Sequence, residues 1–169
     1  ATDRLFNHQA NSFGMDGHEE RLRAFMKGHG IDAEHRHFGE SCHSVEEAAR
    51  AAGADPLDFV KNICMLDSRG RVVIAIVKGE DRASTSRAAR ALGLDERPGI
   101  AELDEILEKT GYPCGGVPSF GFDATFLIDP RVMEKEFVWT SGGSENSLVR
   151  IRPQEMLRAN QGRVVRIRK

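Results

Sequence analysis

Six consecutive apolar residues, Val72-Val73-Ile74-Ala75-Ile76-Val77, limit the folds open to this chain more than any other feature. All but Ala75 are β-branched, and such side chains favour strands. A strand without a polar position has to be covered on both faces, so the run belongs at the centre of a sheet. It is far too short to cross a bilayer, which takes about 20 residues. Lys61 to Asp67 reads as a second strand, and Ser68-Arg69-Gly70 as the tight turn that makes a hairpin of the two.

Around this hairpin, helix and strand signals follow in mixed order. Leu22, Phe25 and Met26 recur at helical spacing between His18 and His29, with Gly28 and Gly30 as stops. Ser44-Val45-Glu46-Glu47 is a capping box for a helix through Ala52, ended by Gly53. Asp55-Pro56 opens a short helix, and Ser84 or Thr85 caps another that ends at Leu92-Gly93. Ala101 to Lys109 is predicted helical, with Leu103, Ile106 and Leu107 on one side, and Pro153 starts a last helix to about Ala159. Further strands are expected at Ala33–Phe38, Ala124–Ile128, Glu136–Thr140 and Ser147–Ile151, with Arg163–Lys169 alternating like an edge strand. No βαβ repeat appears, so the fold class is mixed α/β (α+β) with a largely antiparallel sheet surrounded by helices. A length of 169 residues suits one domain with one core. Residues 1–16 show no period and read as a flexible or vector-derived leader, with Met15 a candidate natural start; the domain proper is 17–169.

Several functional classes drop out early. No GxSxG, HExxH, GxxxxGK[ST] or GxGxxG occurs. The three cysteines, Cys42, Cys64 and Cys114, are odd in number and widely spaced, which argues against a disulfide framework and for a reducing, cytoplasmic setting. His35, His37 and His43 lie near Cys42, but His35 and His37 alternate on one strand with no acidic or cysteine partner at metal-ligand spacing. They read as edge-strand histidines; no metal and no cofactor are expected. The net charge of −2 is uneven: Arg150 to Lys169 carries +6 and the remainder −8. The basic end is either a phosphate-backbone contact or a solvated face.

Three features remain for chemistry. One is a glycine-rich loop, Gly111 to Gly121, and another is Thr140-Ser141-Gly142-Gly143-Ser144-Glu145-Asn146-Ser147. Glycines allow a ligand to approach backbone N–H groups, which can hold an anion or a developing oxyanion. The alternative is that both are only turns. The third is Lys61, among Val60 and Ile63 at the start of a strand. It is either a fixed cation for a phosphate or carbonyl, or a side chain that snorkels to solvent.

Five segments then occur in a telling order: Phe59-Val60-Lys61-Asn62-Ile63, Lys78-Gly79-Glu80-Asp81, Thr110-Gly111-Tyr112 through Gly115-Gly116-Val117-Pro118-Ser119-Phe120-Gly121, Leu127-Ile128-Asp129 and Ser141-Gly142-Gly143. In order and spacing they resemble the YbaK/ProX-type aminoacyl-tRNA editing proteins, over about residues 20–160. The same domain is inserted in bacterial prolyl-tRNA synthetases. The resemblance implies a bent, barrel-like sheet and a trans-editing deacylase. Its substrate would be tRNA carrying a small wrong amino acid such as Cys, Ala, Ser or Thr, with tRNA for proline as one substrate. tRNA is the partner it implies, an aminoacyl-tRNA synthetase a further candidate, and no membrane is involved. The family lysine falls on Lys61, its first loop on Gly115, Gly116 and Gly121, and its second on Ser141, Gly142 and Gly143. Ser119 stands where many members have a second proline. Ser144-Glu145-Asn146 replaces basic or histidine-containing versions. Both departures bear on the amino acid removed rather than on the reaction.

The expected site is therefore Lys61, Gly116, Gly142 and Gly143 around the reacting carbonyl, with Gly115, Ser119, Phe120, Gly121, Ser141 and Ser144 holding substrate. No side chain stands out as a general base: Glu145 and Asp129 are carboxylate candidates, and Cys64 and Cys114 candidate nucleophiles. The rival reading is a non-catalytic tRNA- or nucleotide-binding module, served equally well by the glycine loops and the basic end.

Overall fold

The computed structural model describes residues 17–169, so the expectation about residues 1–16 lies outside the described residues. Within them the chain forms six α-helices and eight strands. The helices are α1 (Gly17–Gly28), α2 (Val45–Ala52), α3 (Thr85–Leu92), α4 (Leu103–Thr110), α5 (Pro130–Met133) and α6 (Pro153–Asn160). The strands are β1 (Ala33–His37), β2 (Val60–Leu66), β3 (Val72–Lys78), β4 (Gly99–Ile100), β5 (Thr125–Ile128), β6 (Val138–Ser141), β7 (Ser147–Ile151) and β8 (Arg163–Val164). The caps fall where the sequence places them: Ser44 and Ser84 accept from Glu47 and Arg87 N–H, and Gly53 and Gly93 end their helices in the left-handed region.

β3 is buried at all seven positions. It lies between β2, antiparallel, and β5, parallel, in a five-stranded sheet of order β4-β2-β3-β5-β8. Val72, Ile74 and Ile76 face a core shared with Leu22 and Met26 of α1, Phe120, Val149, Ile151 and Met156. Val73, Ala75 and Val77 face the other way, onto Ala88 of α3 and Ile167. The second sheet, β1-β7-β6, is antiparallel throughout. Its inner face closes the first core, and its outer face holds α2 through Cys42, Ala48, Ala49, Phe59, Trp139 and Leu148.

The structure departs from the sequence reading in four places. The sheet is not closed into a barrel: among the described residues the two sheets meet at one bridge, Phe59–Trp139, beyond which β6 leaves β2. Pro130 opens a one-turn helix, α5, that the sequence reading does not include, with Asp129 as its N-cap. Arg163–Lys169 is a strand only at β8, with one later bridge, Ala83–Arg168, because the buried Asp129 carboxylate draws in the N–H groups of Ile167 and Arg168. The apolar side of α4 is not core. Leu103 and Leu107, one turn apart, are 70% and 47% exposed, and only Ile106 turns inward.

Candidate functional site

The divergence of the sheets leaves an open strand edge. Gly79 N–H donates to Phe59 C=O on the β3 side, and Ala101 N–H donates to Cys64 C=O on the β4 side. Backbone groups alternate along a strand, so the N–H and C=O of Asn62 point to the β4 side, into the gap between the Phe59–Trp139 bridge and β4. A cavity of about 250 Å³ occupies that gap. Lys61, Asn62, Cys64, Gly115, Thr140 and Ser141 line it, and Val45 and Ala48 of α2 with Phe59 and Trp139 supply apolar wall.

Lys61 is half-buried there. Lys78 and Lys135 pair with Glu80 and Asp58, each at 2.7 Å. Among the described residues no carboxylate lies within ion-pair distance of Lys61. The cation is thus held in an apolar-walled cavity without a counter-ion, which suits it to an anionic or strongly polarised ligand.

Asn62 projects to the opposite face and ties three segments together. Its Nδ2 donates to Val117 C=O and Thr140 Oγ1, both at 2.8 Å, and its Oδ1 accepts from Ser119 Oγ at 2.7 Å. Ser119 and Thr140 share a further hydroxyl contact of 2.8 Å. This net fixes the first glycine loop and β6 to β2 beneath the cavity.

The expected site residues separate into two groups. Lys61, Gly115 and Ser141 come together at the cavity, and Ser141 Oγ donates to Gly115 C=O at 3.3 Å. Gly116, Gly142, Gly143, Ser119, Phe120, Gly121 and Ser144 stand behind its wall. A Cβ on Gly116 would lie 2.8 Å from the Gly143–Ser144 backbone, so the two loops meet back to back. Gly143, at φ +103°, rests on the first turn of α1, where a Cβ would lie 2.9 Å from His18 C=O. The N–H groups of Gly116 and Gly142 are already donated, to Pro113 and Ser147 C=O. Phe120 and Gly121 pack on Phe25 and Leu22 of α1, and Ser144 Oγ donates to the buried Glu19 carboxylate at 2.9 Å.

His35 and His37 lie on β1, an edge strand, and each has a bonding partner from elsewhere in the chain. His37 does have an acidic partner, Glu19 of α1, with Nδ1 2.9 Å from Oε1. His35 bonds Gly142 C=O at 2.8 Å, and burial holds its pKa below the usual imidazole value. Among the described residues no group of three His, Cys, Asp or Glu is placed to hold a metal. His43 lies apart from both, at the cavity mouth, with Nδ1 3.2 Å from Glu145 Oε1. A Cβ on Gly115 would run into its imidazole.

Of the other candidates, burial pushes the Cys64 thiol up to about 11, which keeps it protonated, while Cys114 lines the cavity. Burial would raise the Asp129 carboxyl too, but bonds from the Arg131, Arg168 and Ile167 N–H groups and the Arg168 guanidinium outweigh it and hold the pKa low. Asp129 is spent on the C-terminal segment. Sequence reasoning assigns no role to Asn62, Thr140 or Trp139 and considers His43 only as a metal ligand; a polar residue beside Lys61 is the one available signal.

A family model described as an aminoacyl-tRNA editing domain matches residues 39–159, a span that contains every residue of the cavity. An uncharacterized protein of Bacillus subtilis (strain 168), YwhH, is 26% identical over 121 residues, 70% of this chain and 76% of that protein. A crystal structure of a candidate trans-editing enzyme for prolyl tRNA synthetase superposes with a TM-score of 0.83 at 24% identity, over 92% of this chain and 99% of that one. A crystal structure of a hypothetical protein does so at 0.81 and 25% identity, over 88% and 99%.

Proposed function

The chain belongs to the aminoacyl-tRNA editing domain family, and from that premise we propose that it hydrolyses the ester joining a small, wrong amino acid to tRNA. The observation that carries this reading is Lys61, a half-buried cation in a small cavity with no counter-ion among the described residues. About 250 Å³ is below the range of roughly 300–1,000 Å³ typical of drug-sized ligands, which favours Ala, Cys, Ser or Thr. tRNA for proline is the first to test, given the description of a protein of similar fold. Such a sieve is useful because a synthetase pocket discriminates one methylene by only about 1–3 kcal/mol. The free thiols suit a reducing cytoplasm, where a synthetase would be the natural companion.

Lys61 and the Asn62 N–H face the ester carbonyl, and Ser141 and the Gly115 backbone hold the terminal ribose. Gly142, Gly143 and Gly116 act indirectly, by letting the two loops and α1 close up behind the cavity wall. Glu145, 3.2 Å from His43 Nδ1, orients the ring in this reading, with Nε2 toward the attacking water. His43 takes a proton from that water as its oxygen attacks the carbonyl carbon. The bond to the ribose oxygen then breaks, and the proton passes to that oxygen, leaving free amino acid and uncharged tRNA.

The test is amino-acid release from tRNAs charged with Ala, Cys, Ser, Thr and Pro. Turnover is expected for at least one small amino acid, and Lys61→Ala should reduce it by about 10²–10³ with native circular dichroism, the loss typical of one donor to a developing oxyanion. Tight tRNA binding with no turnover of any substrate would make the chain a binding module instead.

A further inference from the structure

The outer face of the β1-β7-β6 sheet continues the cavity floor. Leu148, Ser141 and Trp139 line the cavity. Side chains two apart on a strand share a face, and the register places Arg150 opposite Trp139 and beside Leu148 on that same face. Arg152 follows at the end of β7. The guanidinium carbon of Arg150 lies over Phe137, 3.8 Å from the ring centroid, and that of Arg152 lies 4.6 Å from the same centroid. At the other edge Arg36 lies over Phe38 and Trp139, at 5.2 and 5.8 Å.

Within the basic C-terminal stretch, Arg150 and Arg152 differ from Arg158, Arg163 and Arg168. Arg158 is paired with Glu155, Arg168 with Asp129 at 2.8 Å, and Arg163 is bonded to Ala91 C=O. Arg36 is partly neutralised by Glu34 at 3.6 Å, and Glu34 also faces Arg150 across the strands. Among the described residues, however, no carboxylate lies within ion-pair distance of Arg150 or Arg152. Two like charges sharing one ring face a repulsion that an arriving anion relieves. The ring restrains each guanidinium, whose own planarity suits it to two-point contact with phosphate and to stacking on a base.

We propose that Arg150 and Arg152, on their Phe137 platform, form the track along which the single-stranded 3′ end of tRNA enters the cavity. This rests on an aminoacyl-tRNA being the substrate. A strand advances about 3.4 Å per residue, so Arg150 stands roughly 7 Å from Leu148 and Arg152 about as far again. The aminoacyl end of the terminal nucleotide occupies the cavity, and the phosphates just upstream meet the two arginines.

The experiment compares Arg150→Gln/Arg152→Gln with wild type in binding to uncharged tRNA and to a short single-stranded RNA of the same 3′ sequence, across salt concentrations. The variant is expected to bind both about tenfold or more weakly, in line with the removal of two charge-assisted bonds. The slope of log affinity against log salt should fall by about 0.7 for each phosphate the variant no longer neutralises. Hydrolysis of a 3′-aminoacyl adenosine, which stops short of the arginines, should be unchanged. Control substitutions at the exposed Arg90 and Arg97, outside this face, should leave binding intact. Wild-type affinity and salt slope in the variant, equal losses in the control, or loss of adenosine-ester hydrolysis would each overturn the track. A wild-type protein that binds RNA in this arginine-dependent way but releases no amino acid would support the track and sink the deacylase reading.

Discussion

In the proposed site, adjacent residues 61 and 62 divide the work between chemistry and architecture. Lys61 enters the cavity and binds nothing else among the described residues. Asn62 bonds the Val117 carbonyl and the Ser119 and Thr140 hydroxyls, which without it keep only each other. In urea unfolding, Lys61→Ala should therefore stay within about 0.5 kcal/mol of wild type. Asn62→Ala should lose about 1–3 kcal/mol from the groups it abandons. Gly143→Ala should lose a similar amount, since a side chain at φ +103° is strained and its Cβ meets the backbone of α1. A large drop for Lys61→Ala, or none for the other two, would reverse these assignments.

The end of β5 shows how one strand terminus organises distant chain. Asp129 caps α5 through Arg131 N–H and binds Ile167 and Arg168 N–H and the Arg168 guanidinium. Its native pKa is lowered, whereas an unfolded aspartate titrates near about 3.9. The unfolded state therefore takes up protons first. The stability from this carboxylate is present above about pH 4 and is lost as pH falls through the native value. His35 has the same sign at a higher pH. It is buried neutral with a lowered pKa, so its contribution begins to fall once pH drops below about 6.5. Chemical denaturation at a series of pH values should show Asp129→Asn less stable than wild type at neutral pH, by up to about 3 kcal/mol. The difference should close in acid. A constant difference would remove the carboxylate from that role.

Across the molecule, stability should grade outward from β3. It is covered on both faces by separate clusters of buried side chains, whereas α4 presents Leu103 and Leu107 to solvent. Native-state hydrogen exchange should find the amides of β3 and β5 opening only with global unfolding and those of α4 opening earlier; equal protection in α4 would contradict this. The buried run Val72–Val77, the capped helices and the hairpin were legible in the sequence because each depends on neighbours a few residues apart. Lys61 and Gly115 were legible as candidates through the order of short segments. The same order also pointed to Gly142 and Gly143, because a glycine that packs closely and one that borders a cavity look identical in one dimension. Only the tertiary structure separated them. Gly115 lines the cavity, and Gly143 lies against α1. The pairing of His43 with Glu145, of His37 with Glu19, and of Arg150 and Arg152 with Phe137 was likewise out of reach, since those partners meet through strand register and sheet divergence. Local chain stiffness and hydrophobic periodicity decide which segments become strands and helices. Which polar groups then face one another depends on where the two sheets part, and that is set by the packing of the whole core.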